Sequence, residues 1–157
     1  MRLPAAVTLL LLLASASPAQ EHVSGSPAEL KGLRRIYVDA GAKERGRIVG
    51  ELRKSKTGVE VVDAPEAAEL ILVFLADKVR AAAGMEQQRD VLGNPTGKTE
   101  MKHVDIDAGY GSAYVSLAGG GRRVLFTWQG KKKLFASPAH KFASAFVKEY
   151  RKANGLE

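Results

Sequence analysis

The pattern of apolar and polar positions predicts a chain of short strands and two helices. Alternation with a period of two favours strands, a period near 3.6 favours helices, and a continuous apolar run is typical of a strand buried on both faces. The strongest run of this last kind is 70–75. Predicted strands lie at 35–40, 59–62, 70–75, 112–118 and 123–129, and predicted helices at 42–56 and 138–154.

The end of the chain carries the clearest local signals. Three consecutive glycines, 119–121, separate the last two predicted strands and accept the positive φ that tight turns need, which predicts a β-hairpin. Ser137 is a typical helix cap, Pro138 suits the first helical position, and Gly155 is expected to end the helix. A hairpin followed by a capped helix is therefore expected here.

Residues 76–111 are ambiguous in the pattern. They combine a possible helix at 79–92, a loop signal at 93–97 and an alternating segment at 101–107. The same stretch is also compatible with one extended hairpin. A segment of this length without firm local signals is usually a functional loop or a mobile one.

The order of these elements predicts an α/β (α+β) fold. It contains strand–helix–strand–strand, the ambiguous middle, and then strand–strand–helix. With both main helices on one face, the expected architecture is a two-layer sandwich with a mixed sheet of about five or six strands.

The N-terminus has the pattern of a secretory signal peptide, with one cation, an apolar run and small residues before the cleavage site. Cleavage is expected after Ala16 or Ala19, and we assign 1–19 to the signal peptide, 20–32 to a flexible lead-in and 33–157 to a single domain. No later segment is apolar for long enough to cross a bilayer. We therefore expect a secreted or periplasmic protein without stable membrane insertion after cleavage.

Composition narrows the function classes. The 157 residues include no cysteine, which excludes disulfides, cysteine-ligated metal sites, a cysteine nucleophile and a lipid-modified cysteine. The formal charge is +7, and it falls to +6 when the signal peptide with Arg2 is removed. A basic exported protein is expected to meet an envelope protein or an anionic polymer, and nucleic acid is not an expected partner.

One group of residues could ligate a metal. Strand alternation would place His103, Asp105 and Asp107 on one face, and one imidazole with two carboxylates could hold a divalent ion. The polar face of a half-exposed strand has the same pattern. The segment is not an EF-hand loop, because its sixth position is Tyr110 rather than glycine.

A second group could bind a sugar polymer or peptide. Tyr114 and Trp128 lie on the predicted hairpin strands near Arg122 and Lys131, and outward-pointing rings would form an aromatic and basic surface. Burial of both rings in the core is the alternative.

Motifs for catalysis are missing from the sequence. It contains no Gly-x-Ser-x-Gly and no His-Glu-x-x-His, and the glycines at 41 and 46 lack the Lys and Ser or Thr of a phosphate-binding loop. We expect no catalytic residues and no cofactor.

Residues 35–75 resemble small α/β domains of the bacterial envelope, of the penicillin-binding-protein activator and TolB N-terminal type. Those domains share a strand, a helix, a Val-Val-Asp strand, a Pro-Glu turn and an apolar strand, which correspond here to Ile36-Tyr37-Val38-Asp39 and to 61–70. The resemblance covers about a quarter of the chain, with Glu69 in place of the usual aspartate. It implies a bacterial, non-catalytic module that binds partners.

The sequence therefore predicts an exported, non-catalytic binding or accessory domain of the bacterial cell envelope. Two alternatives remain open: a metal-dependent enzyme or metal-binding protein that uses His103, Asp105 and Asp107, and a protein that binds an anionic envelope polymer through its basic surface.

Overall fold

Six strands form one mixed sheet in the computed structural model, which describes residues 22–132 and 136–156. The strands are β1 (His22–Ser24), β2 (Arg35–Asp39), β3 (Glu60–Val62), β4 (Leu70–Arg89), β5 (Pro95–Ser116) and β6 (Arg122–Lys131). Their order in the sheet is β1-β6-β5-β4-β2-β3. β1 pairs with β6, and β2 with both β3 and β4, in parallel, whereas β5 is antiparallel to both of its neighbours.

Two helices, α1 (Ala42–Lys54) and α2 (Pro138–Asn154), cover one face of this sheet. The Ser137 side chain accepts a hydrogen bond of 3.3 Å from the His140 amide, and Gly155 ends α2 with a φ of +64°. The predicted α+β fold, a two-layer sandwich with a mixed sheet of about five or six strands and two main helices on one face, is confirmed, with six strands among the described residues. Among the described residues, neither helix has the length and apolar character that a membrane span requires.

The core between the sheet and the helices is centred on Phe142 of α2. Its ring centroid lies 5.6 Å from that of Phe74 and 6.1 Å from those of Phe126 and Trp128. Gly111 of β5 lies directly beneath the Phe142 ring, and a Cβ at this position would overlap it. Glycine on the central strand therefore allows α2 to approach the sheet closely.

The expected lead-in is part of the fold from His22 onward, which corrects the predicted boundary at residue 33. β1 pairs with β6 at the sheet edge, and Leu30 is fully buried in the core. Glu29 accepts a hydrogen bond from the Ser26 amide at 2.9 Å and forms an ion pair with Arg123 at 2.8 Å. The small and polar residues of this segment give no local signal for its structure, because the segment is stabilised by contacts with residues about 100 positions away. The predicted signal peptide lies outside the described residues.

The ambiguous middle of the chain is the extended hairpin, not the helix at 79–92. β4 and β5 pair from Ile71 and Tyr114 out to Arg89 and Pro95. The helical alternative would have placed Gly84 in a helix interior, whereas the strand ladder pairs Val79 directly with Ile106. Cross-strand pairing therefore determines the structure of a segment whose local pattern is compatible with both a helix and a hairpin.

Candidate functional site: the β4–β5 arm

The outer part of the β4–β5 hairpin extends beyond the rest of the sheet. β2 pairs with β4 only as far as Val73, and β6 pairs with β5 only as far as Ala108. We call residues 78–106 the arm, and the remaining described residues the body. At about 3.3 Å per residue, the twelve residues from Lys78 to Arg89 give the arm a length of about 40 Å.

The tip of the arm, residues 90–94, is a hydrogen-bonded turn. The Asp90 carboxylate accepts hydrogen bonds from the backbone amides of Leu92 at 2.9 Å and Asn94 at 2.8 Å, and the Asp90 amide donates to the Asn94 carbonyl at 2.8 Å. Gly93 has a φ of +86°, which suits glycine. The hydrogen bonds from Asn94 are the main cause that lowers the pKa of Asp90 below its ordinary 3.8. The turn therefore has a defined shape.

This turn presents two apolar side chains to solvent. Val91 is 102% exposed and Leu92 is 83% exposed. Isolated apolar residues on a surface are ordinary, but adjacent ones at the end of a long projection are not needed for packing of the body. The tip is therefore the first candidate contact surface.

A second apolar surface begins at the base of the arm. On β5, odd-numbered residues from Met101 to Ala113 lie on the face covered by the helices, and even-numbered residues lie on the open face. The exposed pair Leu75 and Tyr110 lies on the open face, followed outward by the pair Val79 and Ile106. A concavity of about 660 Å³ is lined by Leu75, Val79 and Tyr110, together with Gln129 and Lys131 of β6. Apolar surface thus continues from the body onto the arm.

The predicted metal ligands lie along one strand rather than around one point. His103, Asp105 and Asp107 occupy the helix-covered face of β5, each two residues from the next. Asp105 is opposite Arg80, and Asp107 lies 3.5 Å from the Lys132 Nζ. Within residues 22–132 and 136–156, no group of three His, Cys, Asp or Glu side chains is close enough to hold a metal ion.

The four predicted binding residues of the second group are separated in the structure. Tyr114 is buried on the open face, with the Arg122 guanidinium 4.6 Å from its ring centroid. Trp128 packs against Phe142 on the opposite face. Lys131 pairs with Ala108 at the far end of β6. The structure keeps Tyr114 and Arg122 together and places the other two elsewhere.

A further concavity of about 740 Å³ lies where the N-termini of both helices meet the base of the arm. Its charged lining residues are Lys43, Glu44, Arg47, Asp77, Lys78, Asp107 and Lys132. Cations and carboxylates are present in nearly equal numbers, so their charges largely cancel. The lining residues therefore do not create an electrostatic potential of a single sign.

The sequence alone does not predict the tip, because Val91 and Leu92 fall within the possible helix at 79–92. The available signal was Asp90 before two apolar residues and Gly93-Asn94-Pro95, which is typical of a turn between strands. That signal becomes decisive only when the flanking segments are known to pair.

Comparison with known proteins gives structural likeness at low sequence identity. No protein-family model and no curated protein matches the chain. A crystal structure described as a PDZ domain protein from Parabacteroides distasonis ATCC 8503 superposes with a TM-score of 0.41 at 13% identity. The match covers 76% of this chain and 31% of that one.

Proposed function

We propose that this chain is an exported, non-catalytic binding domain of the bacterial cell envelope that engages a partner protein through the arm. The observation that carries the proposal is the exposure of Val91 and Leu92 on a hydrogen-bonded tip about 40 Å from the body. Contact through a turn of defined shape costs less conformational entropy than contact through a loop that must first become ordered.

The size of the apolar tip favours a protein partner over a lipid bilayer. Burial of one Val and one Leu side chain contributes about 3–6 kcal/mol in total. This is less than the contribution of a single myristoyl chain, which by itself gives only marginal membrane binding. An apolar concavity on a protein surface can add shape complementarity and backbone hydrogen bonds along the free edges of β4 and β5.

The charge of the arm also argues against an anionic polymer as its ligand. The arm carries five cations (Lys78, Arg80, Arg89, Lys98, Lys102) and four carboxylates (Glu86, Asp90, Glu100, Asp105). Almost all of the net charge of +7 therefore belongs to the rest of the chain. Binding through the arm should depend on apolar contact more than on salt.

Export and the envelope location rest on the sequence. The N-terminal pattern of 1–19 supports secretion, and the resemblance of 35–75 to envelope α/β domains supports a bacterial envelope setting. The parallel arrangement of β2, β3 and β4, with α1 after β2, is compatible with that resemblance.

Photocrosslinking in the native envelope tests the proposal. A photoreactive residue would replace Leu92 at the tip in one protein and Leu156 in another, because Leu156 is an exposed leucine of the body. We expect one defined protein adduct from position 92 and none from position 156. The adduct partner is then purified and its affinity is measured by calorimetry.

The matched variants for that measurement are V91S/L92S and L156S. Loss of the apolar tip should weaken binding by at least about 100-fold, because about 3 kcal/mol or more of burial is removed. Leu156→Ser should leave the affinity unchanged. Identical adducts from both positions, or unchanged affinity of V91S/L92S, would show the proposal to be wrong. Capture of a polymer with steep salt dependence would instead support the anionic-polymer alternative.

A further inference from the structure

The arm also concentrates the sulfur atoms of the chain. The sequence contains three methionines and no cysteine, and apart from Met1 the methionines are Met85 and Met101. These two residues are directly opposite each other on β4 and β5. They are 74% and 53% exposed.

A β-bulge creates this pairing. The register of β4 against β5 shifts between Ala82 and Gly84. Without the extra residue, continuation of the pairing of Ala82 with His103 would have placed Met85 opposite Glu100 on the open face. With the bulge, Met85 meets Met101 on the helix-covered face. Bulges commonly redirect side chains next to functional sites.

His103 lies beside this methionine pair. It follows Met101 by two positions on the regular strand β5, so both side chains project from the same face. Directly opposite Cα atoms in antiparallel strands are about 4.5–5.5 Å apart, and residues two apart along a strand are separated by about 6.8 Å. Methionine has three rotatable side-chain bonds, so both thioethers and the imidazole can reach a common point above the strands.

The sulfur atom distinguishes methionine from leucine at these positions. Leucine would give a similar apolar surface, and exposed methionine is readily oxidised to the sulfoxide outside the cytoplasm. Thioether sulfur is a soft ligand that selects Cu(I), and imidazole also suits copper, whereas Ca²⁺ and Mg²⁺ prefer oxygen ligands.

We propose that Met85, Met101 and His103 form a binding site for a soft monovalent cation, Cu(I), with Ag(I) as its redox-stable analogue. Both thioethers and the neutral imidazole act as ligands from two adjacent strands. The next pair toward the body, Arg80 and Asp105, carries opposite charges and leaves no net repulsion of a cation. On the open face, Glu86 and Lys102 form an ion pair of 3.1 Å.

This site differs from the predicted site of His103, Asp105 and Asp107. It shares the imidazole but replaces the two carboxylates by thioethers, which changes the preferred cation from a divalent ion to Cu(I). It is also independent of partner binding through the tip, because V91S/L92S leaves all three ligands in place.

Chelator competition with Cu(I) tests the site in the exported form of the chain. Cu(I) is kept reduced under anaerobic conditions and is titrated against a chromophoric Cu(I) chelator. We expect one Cu(I) per chain. Loss of a second-shell group typically costs 10–100-fold in metal affinity, so M85L/M101L, which removes two direct ligands, should weaken binding by at least about 100-fold.

His140→Gln is the matched histidine control, because His140 is an exposed histidine of the body. It should bind Cu(I) like the unaltered chain, and His103→Gln should bind at least about tenfold more weakly.

Ag(I) should shift the methyl resonances of both methionines. Absence of stoichiometric Cu(I) binding, or equal affinity in M85L/M101L, would overturn the proposal, and so would a preference for Zn²⁺ or Ca²⁺. Hydrogen exchange of the arm in M85L/M101L checks that the strands remain paired.

Discussion

The body and the arm share strands β4 and β5, but the two regions are stabilised in different ways. In the body, β4 and β5 have neighbours on both sides and are covered by helices, so Leu72, Phe74 and Ala113 are buried. In the arm, the strands pair with each other and with no other described strand, and every residue from Pro95 to Asp105 is exposed. A two-stranded hairpin alone is marginally stable in water. The comparison shows that side chains of the arm contribute little to holding the body together.

Removal of a core ring should give the largest difference in the free energy of unfolding between a variant of the body and a variant of the arm. Phe142→Ala removes a fully buried ring and should lower the free energy of unfolding by about 3–5 kcal/mol. Leu92→Ala, at the exposed tip, should change it by less than about 0.5 kcal/mol. Urea denaturation measures both values. Similar losses from the two variants would mean that the tip packs against the body.

Overpacking beneath Phe142 should have the next largest effect. Gly111→Ala adds a Cβ that overlaps the Phe142 ring, and we expect a destabilisation of about 1–3 kcal/mol. Gly50→Ala is the matched control, because a Cβ at this position in α1 has no neighbour within 4 Å. It should stabilise the protein by up to about 1 kcal/mol. A neutral Gly111→Ala would indicate that α2 can move away from the sheet.

Amide hydrogen exchange should resolve the two regions residue by residue. Amides of the arm should exchange through local opening, whereas those of β4 between Leu70 and Phe74 should exchange only on global unfolding. Phe142→Ala should accelerate exchange in the body and leave exchange in the arm unchanged. Equal protection of both regions would show that the arm and the body unfold together.

The smallest expected effects come from one carboxylate in each region. Glu69 accepts hydrogen bonds from the amides of Arg34 at 2.7 Å and Arg35 at 3.0 Å, and these bonds lower its pKa below the ordinary 4.5. Because the pKa is lower in the folded state, the stabilisation is present above pH 4.5 and is lost as the pH falls through the folded value. Glu69→Gln should flatten this part of the stability profile, measured by urea denaturation across pH.

Protonation of Asp90 at acid pH should change the structure of the tip. Its pKa is also lowered, by hydrogen bonds within the tip, so its protonation below about pH 3.8 should loosen the turn. The amide resonances of Leu92 and Asn94 should then shift, because both amides donate to this carboxylate. Asp90→Asn should abolish these pH-dependent shifts, and shifts that persist in this variant would show that another group causes them.

Much of the body could be predicted from local sequence. The cap at Ser137, the proline at the first position of α2 and the glycine after its end specify that helix by short-range rules. Residues 70–75 were predicted as a central strand from one apolar run, and β4 begins there. Such signals depend on neighbours within a few positions, which a sequence displays directly.

The candidate site could be predicted only in part. The sequence placed His103 in an alternating segment and marked a loop at 93–97, but it gave no basis for pairing Met85 with Met101. That pairing depends on a bulge, and a shift of one residue moves a side chain to the other face. The register of β5 and β6 was likewise needed to place Tyr114 and Trp128 on opposite faces of the sheet.

By itself, the sequence determined the order of the strands and helices from β2 onward outside 76–111, the caps of α2, the absence of cysteine and the composition of the arm. The tertiary structure decided that 76–111 is a hairpin, that β1 pairs at the edge of the sheet and that Val91 and Leu92 lie at a tip. The physical reason is the sequence separation over which each kind of interaction acts. Capping and periodicity act between residues a few positions apart, whereas strand pairing and burial join residues that are distant in sequence, such as His22 and Arg122, and depend on the whole fold.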